Sequence, residues 1–307
     1  MELIKFKLGE KYNLGKLAVA LGEFDGLHIA HQELIKKAIN YAKANNIKSA
    51  VVSFDPHPDY VLKKRFDQGY ITPMKAKAEK LEELGVDYFI VIPFTIELAK
   101  LSPNDFINNY LKAFEIEKVV VGFDFRFGHR GSGNSDTLRE HFKVEVVERI
   151  ALHDEKIGSN EIRDYLIQGE MEKVKNMLGR YYNITGKVVS GNQVGRTLGI
   201  RTANIQIEER YQVLRKGVYA VYVSFNNKRY FGVCNIGNNP TINYVSIPRL
   251  EVHILDFNQE IYDEVISVDF VKFLRDEEKF ASVEAMIAQI NQDIINTKAI
   301  LEKNICE

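Results

Sequence analysis

Two histidines, His28 and His31, stand in the stretch Gly22-Glu23-Phe24-Asp25-Gly26-Leu27-His28-Ile29-Ala30-His31. Three residues apart at the start of a helix, they put both imidazoles on one face of its first turn. The N–H groups of that turn and the helix dipole favour an anion there. Imidazoles, which titrate near neutrality, add further N–H donors. The chemistry this serves is the holding of a phosphate, with Gly22, Phe24, Asp25 and Gly26 shaping the turn around it. Two histidines at this spacing also occur as plain surface or core residues. Here the flanking glycines and the acid in the turn favour the site. Metal ligation by His28 and His31 fits less well, because no cysteine or further histidine lies at ligand spacing nearby.

Other segments carry chemistry of their own. Ser159 and Asn160, followed by Arg163, place small polar groups and a cation where a helix begins, which suits a triphosphate; an ordinary N-cap with a surface arginine reads the same way. The segment Gly122-Phe123-Asp124-Phe125-Arg126-Phe127-Gly128 mixes aromatic faces with an acid and a base, and packing alone would make its phenylalanines core. Further on, Gly186 to Gly191 and Gly195-Arg196-Thr197-Leu198-Gly199-Ile200 read as a glycine-rich pair of turns that bring backbone N–H groups close to phosphates. Thr202 and Asn204 follow, a hydroxyl and an amide on one strand face, hard oxygen ligands for magnesium carried on ATP. Glu251 alternates with Leu250 and Val252, so if those two fill a core, the carboxylate faces outward.

These residues need elements to position them. The apolar run Leu17–Leu21 reads as a buried strand before the histidine turn, and Leu34, Ile35, Ala38, Ile39 and Ala42 predict a helix over 32–42. Strands are expected at 47–54, 88–92, 119–122 and 144–147. Helices are expected at 74–84, stopped by Gly85, at 103–113, capped by Ser102, and at 136–142. That alternation predicts a parallel sheet with helices on both faces and ligands beyond the strands' carboxyl ends. Near Tyr181–Asn183 the period changes to two. Tyr219, Val221, Val223 and Phe225 alternate, Asn226-Asn227 reads as a hairpin turn, and a second turn is expected at Asn258-Gln259. Short strands of this kind predict an antiparallel sheet closing into a barrel, capped by a helix from Val283 to about Leu301. The boundary divides the chain into 1–182 and 183–307.

Composition narrows the classes. The chain has 307 residues, 45% of them hydrophobic, enough for two cores. Its net charge of −1 gives no footprint for nucleic acid. No run reaches membrane-spanning length, no signal-peptide pattern opens the chain, and Cys234 and Cys306 lack framework spacing, so a reducing cytoplasm is expected.

The histidine stretch resembles the H-x-G-H signature of nucleotidyltransferases in the form G-x-F-D-G-x-H-x-G-H, with Ala30 in place of a glycine. That form is typical of bacterial bifunctional riboflavin kinase/FAD synthetases. The resemblance extends along the chain in order. Val121–Gly128 matches V-G-x-D-F-R-F-G, and Ile157–Arg163 matches I-S-S-T-x-I-R with Gly158 and Asn160 substituted. Arg201-Thr202-Ala203-Asn204 matches P-T-A-N, and Asn235–Thr241 matches N-I-G-x-x-P-T. Leu250–His253 matches L-E-x-H, and Arg275–Phe280 resembles a closing R-x-E-x-K-F. It implies a Rossmann-like nucleotidyltransferase domain followed by a riboflavin kinase barrel. His28, His31 and Arg163 would then serve adenylyl transfer, Glu251 would be the kinase base, and Asp124, Phe125, Arg126, Phe127 and Arg275 would meet flavin. Gly22, Phe24, Asp25, Gly26, Ser159, Asn160, Gly195, Arg196 and Gly199 would bind nucleotide, and Thr202 and Asn204 the metal. Riboflavin, FMN and ATP with Mg2+ are the implied small-molecule partners. The substitutions leave open a flavin-binding regulatory protein with one decayed site, or a nucleotidyltransferase for another phosphate.

Overall fold

The computed structural model describes residues 1–62, 69–152, 155–190, 201–238 and 248–306. Contacts divide the chain into two compact units. Met1–Gln68 with Thr72–Ser159 form the first, and Gly69–Ile71 with Asn160–Glu307 the second.

The first unit runs β1 (Glu2–Lys5), β2 (Lys16–Leu21), α1 (Ile29–Ala44), β3 (Lys48–Asp55), α2 (Pro58–Val61), α3 (Met74–Glu83), β4 (Tyr88–Pro93) and α4 (Ile96–Ala99). It continues through α5 (Pro103–Asn109), β5 (Glu115–Gly122), α6 (Ser135–Arg139), β6 (Lys143–Val147) and a ribbon of β7 (Ala151–Leu152) and β8 (Glu155–Lys156). The six long strands form one sheet in the order β1-β4-β3-β2-β5-β6, every pair parallel. Both faces are covered, so β2 is buried from Leu17 to Leu21. Leu17, Val19 and Leu21 pack with Phe106, Ile107 and Leu138 on one side, while Ala20 packs with Leu34, Ile35 and Ala38 on the other. Each such leucine or valine contributes roughly 1.5–3 kcal/mol by leaving water. From β2 the chain steps through β3 to β4, then returns to the opposite side of β2 as β5. The carboxyl ends of β2 and β5 therefore flank the sheet's switch point, where doubly wound sheets take their ligands.

Boundaries differ locally from the sequence expectation. α1 starts at Ile29 rather than Gln32, because the Nδ1 of His28 caps it by accepting from the His31 N–H at 3.2 Å. Ala30 lies in this first turn with helical backbone, where alanine is favoured over glycine by about 1 kcal/mol. The helix expected to reach Ala113 ends at Asn109 and tightens into a 3-10 turn, Leu111–Ala113. Ser102 caps α5, accepting from the Asp105 N–H at 3.1 Å, and Gly85 ends the α3 region at φ +85°.

The second unit opens with α7 (Ser159–Gln168, its first residue counted in the first unit) and α8 (Met171–Leu178). Then come β9 (Tyr182–Val189), β10 (Ala203–Gln206), β11 (Gly217–Phe225), β12 (Lys228–Asn238), β13 (Pro248–Ile254), β14 (Val265–Arg275) and α9 (Val283–Cys306). The six strands close into an antiparallel barrel in the order β10-β13-β12-β11-β14-β9. Asn226 and Asn227, at φ 48° and 59°, make the hairpin of β11 and β12. Gly186–Val189, expected as a turn, is strand β9. A Cβ on Gly186 would meet the Gln206 carbonyl oxygen at 2.6 Å, so the glycine serves close strand approach. The turn expected at Asn258-Gln259 falls instead at Leu255-Asp256 and Tyr262-Asp263, with Asp256 and Asp263 at φ 55° and 66°. α9 covers the outer face of the barrel: Ile294, Ile300 and Leu301 pack against outward residues Val218, Ala220, Tyr222 and Val233.

Candidate functional site

In the first unit the loop after β2 is an over-determined turn. Phe24, Gly26 and Leu27 sit at φ 54°, 89° and 44°; the two non-glycine residues cost about 1–3 kcal/mol each and persist only where their surroundings hold them. They are held from several elements. The Glu23 carbonyl accepts from Ser53 Oγ on β3 and from Lys77 Nζ on α3, both at 2.8 Å. Asp25 Oδ1 accepts from the Thr72 N–H at 3.1 Å, and its carbonyl accepts from Ser159 Oγ at 2.8 Å. Gln32 Nε2 donates to the Leu27 carbonyl at 2.8 Å. A Cβ on Gly22 would lie 3.1 Å from the Phe24 ring, which is buried over it.

This frame stacks the two imidazoles, with centroids 3.5 Å apart and planes 17° apart, and sets the Phe24 ring edge-on to His31 at 5.2 Å. Both rings were expected as donors, but His28 Nδ1 is an acceptor, so a neutral His28 carries its proton on Nε2. Burial, with the neighbouring His28 and Lys77, pulls the His31 pKa well below its ordinary value, keeping that ring neutral. The carboxylate oxygens of Glu23 are buried without a hydrogen-bond partner among the described residues. Their desolvation raises its pKa well above the usual range; Lys77 opposes this, and Asp25, Asp55 and Asp59 add to it.

After β5, Phe127 is core and packs on Phe106, with Phe125 stacked against it at 5.6 Å. Asp124 and Arg126 are exposed. Arg163 is buried on α7 in the second unit, where Nη2 donates to the Gly69 carbonyl at 3.2 Å. Asn160 opens the second unit on the same helix.

In the barrel the register assembles what sequence could only align. Asn204 on β10 pairs with Glu251 on β13, Glu251 with Asn235 on β12, Asn235 with Val218 on β11, and Val218 with Arg275 on β14. Directly paired residues share a face. Leu250 and Val252 are buried inside, so this row lies on the outer face, as alternation predicts for Glu251. A cavity of about 260 Å³ opens on the row, walled by Thr202, Asn235, Glu251 and Arg275 and by Phe280 and Asp293. A second cavity of about 100 Å³ shares Thr202 and adds Arg201, Asn204 and Tyr262. His253 Nδ1 lies 2.7 Å from the Arg201 carbonyl and fixes the strand entry. Gly195, Arg196 and Gly199, with Pro240 and Thr241, lie outside the described residues.

Sequence reading missed several residues here. Asp293 on α9 receives Arg275 through Nε at 3.1 Å to each oxygen and Nη2 at 2.9 Å, and it also accepts from Gln289 at 3.0 Å. A carboxylate on the apolar stripe of Met286, Ile290 and Ile294 was the available signal. Asn235 Oδ1 is buried without a hydrogen-bond partner among the described residues. Lys77, 1% exposed, had no local signal, since its partner lies 54 residues away.

A parallel sheet with paired imidazoles at its switch point, joined to a closed barrel with a carboxylate between two amides, defines a two-part phosphate-transferring protein. The FAD synthetase family model matches residues 10–161 and the riboflavin kinase model residues 178–301. The bifunctional riboflavin kinase/FMN adenylyltransferase of Listeria monocytogenes is 40% identical over 290 residues, covering 93% of this chain and 92% of that protein. Its Bacillus subtilis counterpart is 37% identical, covering 92% of each. A crystal structure from Streptococcus pneumoniae described as a macrolide-efflux protein has a TM-score of 0.88 at 30% identity, covering 97% of this chain and 99% of that one. That description stands apart from the sequence relatives' names, and among the described residues no helix is long and apolar enough to cross a membrane. The chain belongs to the bifunctional riboflavin kinase/FMN adenylyltransferase family.

Proposed function

We propose that residues 183–307 phosphorylate riboflavin to FMN and that residues 1–182 adenylylate FMN to FAD, with ATP as donor in both. The register-locked placement of Glu251 between Asn204 and Asn235, on a cavity wall, carries the first assignment. A ribityl alcohol has a high pKa and gains from a base; Glu251 takes its proton as the oxygen attacks the γ-phosphorus and ADP leaves. Adenylylation starts from a phosphate that is already anionic, so its need is donors where charge builds on the α-phosphate, and neutral stacked imidazoles supply them. The loop 122–128, at the same switch point, is the flavin side of that half.

Magnesium is the metal this donor set fits. The Thr202 hydroxyl and the Asn204 amide oxygen are hard neutral ligands, and among the described residues no group of three or more His, Cys, Asp or Glu could hold a metal ion. Bound with ATP, the metal neutralises phosphate charge. ATP and riboflavin as substrates, and cysteines without framework spacing, support a cytoplasmic location.

The test is product analysis after incubation with riboflavin, ATP and magnesium. FMN with stoichiometric ADP, then FAD with pyrophosphate, is expected. Absence of ADP overturns the kinase assignment; FMN that accumulates without FAD overturns the adenylyl assignment.

A further inference from the structure

The two barrel cavities meet at Thr202, the residue common to their described linings. Glu251 lies on the larger cavity and Asn204 on the smaller, so Thr202 stands where a group passing between them would cross. Yet Thr202 is not part of a strand. β10 begins at Ala203, whose partner on β13 is Val252, and its pairing with β9 reaches only as far as Asn204. Arg201 and Thr202 precede that strand as exposed chain. Arg201 also stands where the motif it matches has proline. A proline ring fixes φ, whereas an arginine leaves it free. Thr202 thus needs a restraint from elsewhere.

His253 is placed to give it. Glu251 and His253 point outward from β13, because Val252 between them is fully buried inside the barrel. Asn204 pairs with Glu251 and Ala203 with Val252, so His253 is the next residue in register, just past the last pair. There its Nδ1 comes 2.7 Å from the Arg201 carbonyl oxygen. A carbonyl only accepts, so Nδ1 carries a proton, in a neutral ring as in an imidazolium. The side chain continues the link between the two strands beyond the point where their backbones stop pairing.

We propose that His253 is a positioning residue for phosphoryl transfer: by holding the Arg201 carbonyl it sets the Thr202 hydroxyl in one frame with Glu251, two residues away on its own strand. This rests on the kinase reading of the barrel and adds to it the group that keeps the nucleotide side of the reaction in register with the base. His253 itself touches neither substrate nor the transferred phosphoryl group in this account. Partners that orient the ligands of a metal typically change its affinity or the activity by about 10–100-fold when they are lost.

Two measurements test it. The first needs no turnover: long-range proton–nitrogen NMR of the histidine rings in the unmodified full chain at pH 8, with the His253 signals assigned by their loss in His253→Asn. Nδ1 of His253 should carry the proton and Nε2 should be bare; a bare Nδ1 overturns the inference whatever the activity. The second is riboflavin-dependent ADP formation, which reports the kinase reaction because adenylylation releases pyrophosphate. In His253→Ala the KM for magnesium-bound ATP should rise roughly tenfold, with the riboflavin KM changed less than about twofold. FAD formation from supplied FMN should not change. His253→Asn keeps a side-chain N–H close to the place of Nδ1 and should recover most of the loss. Arg201→Pro/His253→Ala should also recover it, since the ring then supplies the restraint. Equal rises in both KM values, or a His253→Asn enzyme no better than His253→Ala, would make the histidine a general support of the barrel and overturn the inference. No ADP from the unmodified enzyme would remove the kinase reading itself, which the NMR result does not depend on.

Discussion

His28 and His31 are coupled residues. One caps the helix that carries the other, and its Nδ1 is committed to that cap. His31 is held neutral by burial, so an unfolded chain takes up a proton near 6.5 that the folded one refuses. Stability from this group is therefore lost as pH falls through the ordinary imidazole range. Glu23 runs the other way. Its folded pKa lies above the unfolded value of 4.5, chiefly through desolvation. Its contribution is fully present below that value and is lost as pH rises through the folded pKa. Glu23→Gln stays neutral throughout, so thermal melts should show it more stable than the unmodified protein at pH 8, with the gap closing toward pH 5. A gap that does not change with pH would mean that the carboxyl is not the titrating group.

At the scale of elements, α9 joins the barrel through Arg275–Asp293 as well as through apolar packing. Asp293→Ala leaves a largely buried guanidinium unpaired, a change that costs about 3 kcal/mol where such pairs are broken from one side. Urea unfolding should show that loss, and Arg275→Met/Asp293→Leu should recover most of it, since replacing both partners removes the stranded charge. The elements were legible where their signals were local. The buried run of β2, the Ser102 cap and the Asn226-Asn227 hairpin each follow from adjacent residues. What escaped depended on distant pairing. Gly186 reads as a turn glycine until β10 is laid against it, and β1 is four residues whose partner is β4. In the site, Glu251's outward direction follows from alternation alone, but its neighbours Asn204 and Asn235 are fixed by barrel register. Lys77 and Thr72 reach the histidine turn across 54 and 47 residues, a separation that leaves no local periodicity.

For the whole molecule, two chemistries in one chain pose the question of how FMN travels. Release of FMN to solvent before the second reaction is one answer, and variants that each lack one activity test it. Glu251→Ala should lower FMN formation about 10²–10⁴-fold, the usual contribution of a positioned base, while still converting supplied FMN to FAD. His28→Ala/His31→Ala should do the reverse, since the proposed donors on the transferring phosphate are lost while the barrel residues are unchanged. Mixed together with riboflavin and ATP, the two variants have no chain able to complete the sequence. FAD should nevertheless appear after a lag, and the lag should shorten as the Glu251→Ala protein is raised in excess, because each released FMN then meets a competent adenylyl site sooner. FMN formation by the histidine variant without any FAD from the mixture would show that the intermediate stays on the chain that made it.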